Sequence, residues 1–332
     1  HVFAHGGVSA EARPNKAGGR IAICVLPFEN RSGDPEQEYF SDGVTEDIIT
    51  DLTKVSALQV ASRHAAFAFK NRNAEIGDVC NQLRCSFVLE GSVRKAGERL
   101  RVTATLIDGR SDSHVWAERY DRDLKDIFAL QAEISEAIVT ALKARILPAE
   151  KKAIEARATT NTEAYKLFLM ARQYSVMGSE RTDSIVARLC QRAVELDPGY
   201  ARAWALMAMT QTKMHYRDAS GDNGATAVER ALALDPSLAE AHAAHGRVLA
   251  NEKRYDEALQ AHERALALDP HSYEANALAG RSCTVMKRHG DAIRYFEKAA
   301  ALMENDYVAA AMLVQNYEAI GDHEGTRRAC RR

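Results

Sequence analysis

No apolar run in this sequence approaches the ~18 residues needed to cross a bilayer, and none has the form of a signal peptide. A basic excess is missing too. Lys+Arg total 44 against 46 Asp+Glu, and the resulting charge of −2 argues against a nucleic-acid-binding chain. The six cysteines, at 24, 80, 85, 190, 283 and 330, contain no CxxC pair, and the Cys80–Cys85 interval does not suit a zinc knuckle. They read as reduced, mostly buried thiols of a cytoplasmic protein. Catalytic signatures are equally scarce: G-x-S-x-G, H-E-x-x-H and both the Walker and Rossmann glycine patterns are absent. His64 and His114 stand singly in apolar surroundings and read as structural. No cofactor is implied.

What the sequence has is self-similarity. "RALALDP" occurs at 230–236 and again 34 residues later at 264–270, and "RAVELDP" at 192–198 is a third copy. The same offset maps Gly246 onto Gly280, Ala258 onto Ala292 and Ala265 onto Ala299. Each unit predicts two amphipathic helices, roughly 238–251 and 255–268 in the clearest case. Small residues let the pair approach closely, and the Pro after each second helix sets the turn to the next unit. These features resemble tetratricopeptide repeats, with Trp204, Tyr255, Phe296 and Tyr317 as the large packing residues. Units are expected at about 162–198, 201–236, 239–270 and 273–304, with a fifth, 307–332, truncated. The second carries four extra residues in the polar loop 217–224.

Such a repeat array exposes a groove lined by the first helix of each pair. Arg247, Arg281 and Gln315 occupy equivalent groove positions, with Arg202, Lys213 and Asn251 nearby. One reading is a basic groove that clamps an acidic or carboxylate-ended peptide. The simpler one is a solvated face of ordinary charge. His242 and His245 lie i, i+3 on one helix, with His262 opposite them. Two His on one face are a weak metal candidate, but no carboxylate or Cys completes a site, so packed histidines are the simpler reading.

The amino half alternates strand and helix signals. Residues 21–28 and 58–62 read as strands, 86–108 as a hairpin turning at Ala96–Glu98, and 114–122 as a further strand. Helices are expected at about 37–54, 75–84 and 125–147. The order predicts an α/β domain with a mixed sheet: one helix-connected parallel pair plus an antiparallel meander. "IAICVLPFENRSGDPEQEYFSDGVTEDIITDL", "FVLEGSVRKAGERLRVTATLID" and "HVWAERYDRDLKDIFALQAEI" are similar to the TolB amino-terminal-like domain. The expected layout is a linker at 1–19, that domain at 20–147, a helical linker at 148–161 and the repeats at 162–332. Arg94, Lys95, Arg99 and Arg101 make a basic hairpin, either a contact surface or a solvated edge.

The resemblance implies a regulatory, protein-recruiting region carried behind an output domain. That domain is a class III adenylate or guanylate cyclase or, alternatively, a winged-helix transcription regulator. "HVFAH" resembles the final strand of such a cyclase, and the chain, starting at His1 and stopping at Arg332 in a helical pattern, is expected to be a piece of a longer protein. A third reading places a small-molecule or enzymatic site in the α/β domain. Expected partners are a protein or peptide in the groove and the upstream domain; a homo-oligomer is left open. In 26–43, "LPFENRSGDPEQEYFSDG", the carboxylates suggest helix-start chemistry rather than metal. Asp34 is expected as an N-cap before Pro35, with Gly43 allowing close packing of the helix on the sheet.

Overall fold

The computed structural model describes residues 20–72, 74–218, 222–303 and 307–331; the expected linker at 1–19 lies outside them. The chain forms an α/β domain with a mixed six-stranded sheet, followed by an all-α solenoid of helix pairs. The amino part runs β1 (Ile21–Val25), β2 (Glu29–Asn30), α1 (Glu38–Thr53), β3 (Leu58–Val60), α2 (Arg63–Phe67), α3 (Ile76–Leu83), β4 (Phe87–Ala96), β5 (Arg99–Asp108), β6 (Ser113–Asp123), α4 (Ile127–Ala141) and α5 (Pro148–Glu155).

The strand order is β3-β1-β4-β5-β6, with β2 paired to β4. β1 lies parallel to both β3 and β4, and β4, β5 and β6 are antiparallel. Alternation along the strands divides two cores. Val25, Leu89, Val102 and Leu106 meet α1 and α4 on one face, while Cys24 and Val88 meet Ala66 of α2 and Val79 of α3 on the other.

Residues 26–43 adopt the expected strand-to-helix passage. The Asp34 carboxylate accepts from Glu36 N at 2.9 Å, and Pro35 opens a short 3-10 turn ahead of α1. Gly43 differs from expectation. A Cβ there would sit 2.5 Å from both Leu169 methyl carbons, so its bareness admits the first solenoid helix and not the sheet. The helix expected over 125–147 stops at Ala141. Lys143 takes a left-handed φ of 52°, and the residue before Pro148 is extended, as proline demands. α5 then packs back on the domain, where Glu150 accepts from Ser56 N at 3.0 Å.

The solenoid pairs are α6 (Thr162–Met177) with α7 (Glu180–Leu196), α8 (Ala201–Asp218) with α9 (Ala225–Leu234), α10 (Ala239–Asn251) with α11 (Tyr255–Leu268), α12 (Tyr273–Val285) with α13 (His289–Leu302), and α14 (Tyr307–Ala319) with α15 (His323–Ala329). Glycine sets the close approach within three of these pairs: a Cβ on Gly246 would lie 2.4 Å from His262, one on Gly280 2.8 Å from Phe296, and one on Gly325 2.4 Å from Tyr317. The core is continuous across the junction, running from Ile23 through Tyr165 and Phe168 to Val248.

Candidate functional site: the inner face of the repeats

Successive first helices, α6, α8, α10, α12 and α14, build one face of the solenoid, and α1 lies against its beginning at α6. Glu46 and Asp47 stand one turn after Gly43, so the glycine's close approach carries both carboxylates onto that face. Asp47 accepts from Tyr165 Oη at 2.5 Å, Gln131 Nε2 at 3.0 Å and Arg202 Nη1 at 2.9 Å. Glu46 pairs with Arg63 of the α/β domain and with Arg172 of α6. Both Arg172 and Arg202 stack over Phe168, at 5.5 and 5.3 Å from its ring centre. Burial, then the neighbouring Arg202, lower the Arg172 pKa to about 10. Further along, the His64 ring of α2 reaches Tyr273 at the start of α12, 5.9 Å between centroids.

Of the groove residues expected from sequence, Arg202 is therefore engaged inside the chain by Asp47. Asn251 Nδ2 donates to Thr212 O at 3.1 Å, tying α10 to α8. Lys213 and Arg247 are half-buried, and Arg281 and Gln315 are exposed. The histidines are not gathered as a ligand set. His242 Nε2 bonds to the Pro236 carbonyl at 2.9 Å, His245 is half-buried, and His262 is fully enclosed against Gly246. Among the described residues no group of three or more His, Cys, Asp or Glu could hold a metal.

Elsewhere the charges are paired locally. Lys70 meets Glu38 at 2.7 Å and Asp42 at 2.6 Å, and in the basic hairpin Arg99 and Arg101 pair across to Asp123 and Asp121. The Cys80 and Cys85 sulfurs lie 3.7 Å apart, but burial first and the neighbouring thiol second raise the Cys85 pKa to about 12, far from a nucleophile's. Sequence reading missed Glu46, Asp47, Arg63, Gln131, Tyr165 and Arg172. A usable signal was two adjacent carboxylates beside the apolar stripe of α1, spaced from a mid-helix glycine.

A family model described as "HilA/YgeH-like transcriptional regulator, second domain" matches residues 19–137, so the match over the α/β domain carries that description and not a TolB one. The protein named "Putative adenylate cyclase 3" of Rhizobium meliloti (strain 1021) is 41% identical over 260 residues, covering 76% of this chain and 44% of that protein. The chain thus spans less than half the length of this curated relative. Among solved structures, the thermophilic TPR protein TTC0263 of Thermus thermophilus is 15% identical, with a TM-score of 0.42 over 50% of this chain and 87% of that one. MamA is 18% identical, with a TM-score of 0.37 over 51% and 88% respectively.

Proposed function

We propose that this chain is the non-catalytic regulatory and protein-recruiting region of a bacterial class III adenylate or guanylate cyclase. The observation that carries the reading is the 41% identity to a relative named as an adenylate cyclase, of which this chain matches 44%. A cyclase needs paired aspartates on a strand–turn–strand, and the α/β domain uses its acidic residues otherwise: Asp34 caps, Glu38 and Asp42 hold Lys70, and Asp47 binds the solenoid. The same employment argues against an enzymatic site around residues 28–43. In this reading the α/β domain couples to the output domain and the repeats recruit a protein. Purified chain incubated with ATP or GTP and a divalent metal is expected to form no cyclic nucleotide; turnover above a heat-denatured control refutes the proposal. A second reading, a winged-helix transcriptional regulator, is favoured by the family match over 19–137. The coding sequence upstream of residue 1 discriminates them.

A further inference from the structure

The sheet ends in two unequal edges. β3 is a strand of 3 residues, whereas β6 runs for 11 and packs on β5 and α4 with its other side open. Leu124 N donates to Glu98 O, just ahead of β5, at 2.8 Å. By the antiparallel alternation, the even-numbered residues of β6 then bond to β5, and the backbone groups of Ala117, Arg119, Asp121 and Asp123 face outward. Asp121 O, on that outer side, is met by the Arg122 guanidinium at 3.1 Å. Two usual guards of a long edge are missing from this stretch: it contains no proline, and the register shift against β5 lies at Leu106/Ile107, beyond it.

The order of charges indicates what this edge accepts. Residues 118–122 read Glu-Arg-Tyr-Asp-Arg, so a second copy of β6 laid antiparallel about Tyr120 sets Arg119 opposite Asp121 and Glu118 opposite Arg122. The two-fold axis makes each pair occur twice. Arg119 and Asp121 are outward-bonding residues, so the same partner residue meets both their backbone groups and their charges. Centring the pair on 118, 119, 121 or 122 instead sets a charged side chain against its own copy. Asp121 has capacity for a second cation: one carboxylate oxygen holds Arg101 at 2.6 Å, and the other has only a loose contact with Arg119 of its own strand at 3.6 Å. We propose that β6 is a self-association edge, through which two copies of this chain join antiparallel about Tyr120 into one continuous sheet.

Sedimentation velocity of the chain at about 5 and about 50 µM tests this. Strand pairing alone makes a small interface, so a dimer is expected at the higher concentration, dissociating on dilution to about 5 µM and weakening with salt. Arg119→Asp and Asp121→Arg each turn both central pairs into like-charge contacts, and each is expected to raise the dissociation constant at least about tenfold. Mixed in equal amounts, the two variants restore opposite charges at every central contact and should dimerise again, within about threefold of the parent's affinity. Damage to the fold would not be repaired by mixing. Both positions are exposed, so the melting temperature of each variant is expected to stay within about 3 °C of the parent's. Arg264→Asp, an exposed site on α11, should change affinity less than about twofold. A monomeric mass for the parent at about 50 µM, a dimer indifferent to both reversals, or a mixture that fails to reassociate overturns the proposal.

Discussion

Asp47 draws its three donors from three helices of two domains, so its removal strands more than one partner. Asp47→Ala removes the carboxylate paired with Arg202 and leaves Glu240 as its acidic neighbour, and the expected loss is about 3–5 kcal/mol by urea denaturation. Joint replacement of Asp47 and Arg202 by Leu and Met should recover part of it, because no buried charge is then left unpaired. His262 gives a pH-dependent counterpart. Burial, helped by Arg247, lowers its pKa to about 3, so the folded chain keeps the ring neutral where the unfolded chain protonates it below about 6.5. Its contribution is full above that value and is lost as pH falls from 6.5 towards 3. His262→Leu should flatten the stability–pH profile between those limits, measured as urea midpoints. Neither residue's role shows in sequence, where Asp47 is one acid among 46 Asp and Glu and His262 one histidine of 11.

At the scale of the element, glycines separate packing from propensity. Gly246 is bare because His262 and the Ala258 carbonyl occupy the space of a Cβ, at 2.4 and 2.9 Å. Gly246→Ala should cost about 1–3 kcal/mol in thermal denaturation. Gly77, inside α3, has nothing within 4 Å of a Cβ, so Gly77→Ala should gain about 0.5–1 kcal/mol. The repeat period singled out Gly246 as a close-approach position because helix pairing is local and recurs every 34 residues. It did not reveal the role of Gly43, whose neighbour Leu169 lies in another domain.

For the whole molecule, the continuity of the core governs cooperativity. One hydrophobic cluster joins the sheet, α1, α4 and the first repeats, whereas Leu259, Phe296, Leu313 and Tyr317 belong to a separate cluster at the far end. Hydrogen exchange should therefore show the amides of α6 and α8 protected together with those of β4 and β5, and α14 and α15 exchanging sooner. Equal protection along the solenoid would contradict this picture. The repeats are thus not a tethered arm: α6 serves the α/β domain's core as much as the solenoid's.

Local physics made much of this legible in the sequence. The 34-residue period, the alternation in β4 and β5, and the Asp34–Pro35 helix start each depend on a residue's near neighbours, and each could be read directly. The α/β-then-solenoid architecture followed from them. Only the tertiary structure decided which cations face an acid and which do not. Arg202 and Arg247 look alike in sequence, yet one meets Asp47 from 155 positions away and the other keeps an unpartnered Nε. The pairing of a charge across domains is set by how the chain packs, and no period or propensity in the sequence encodes that distance.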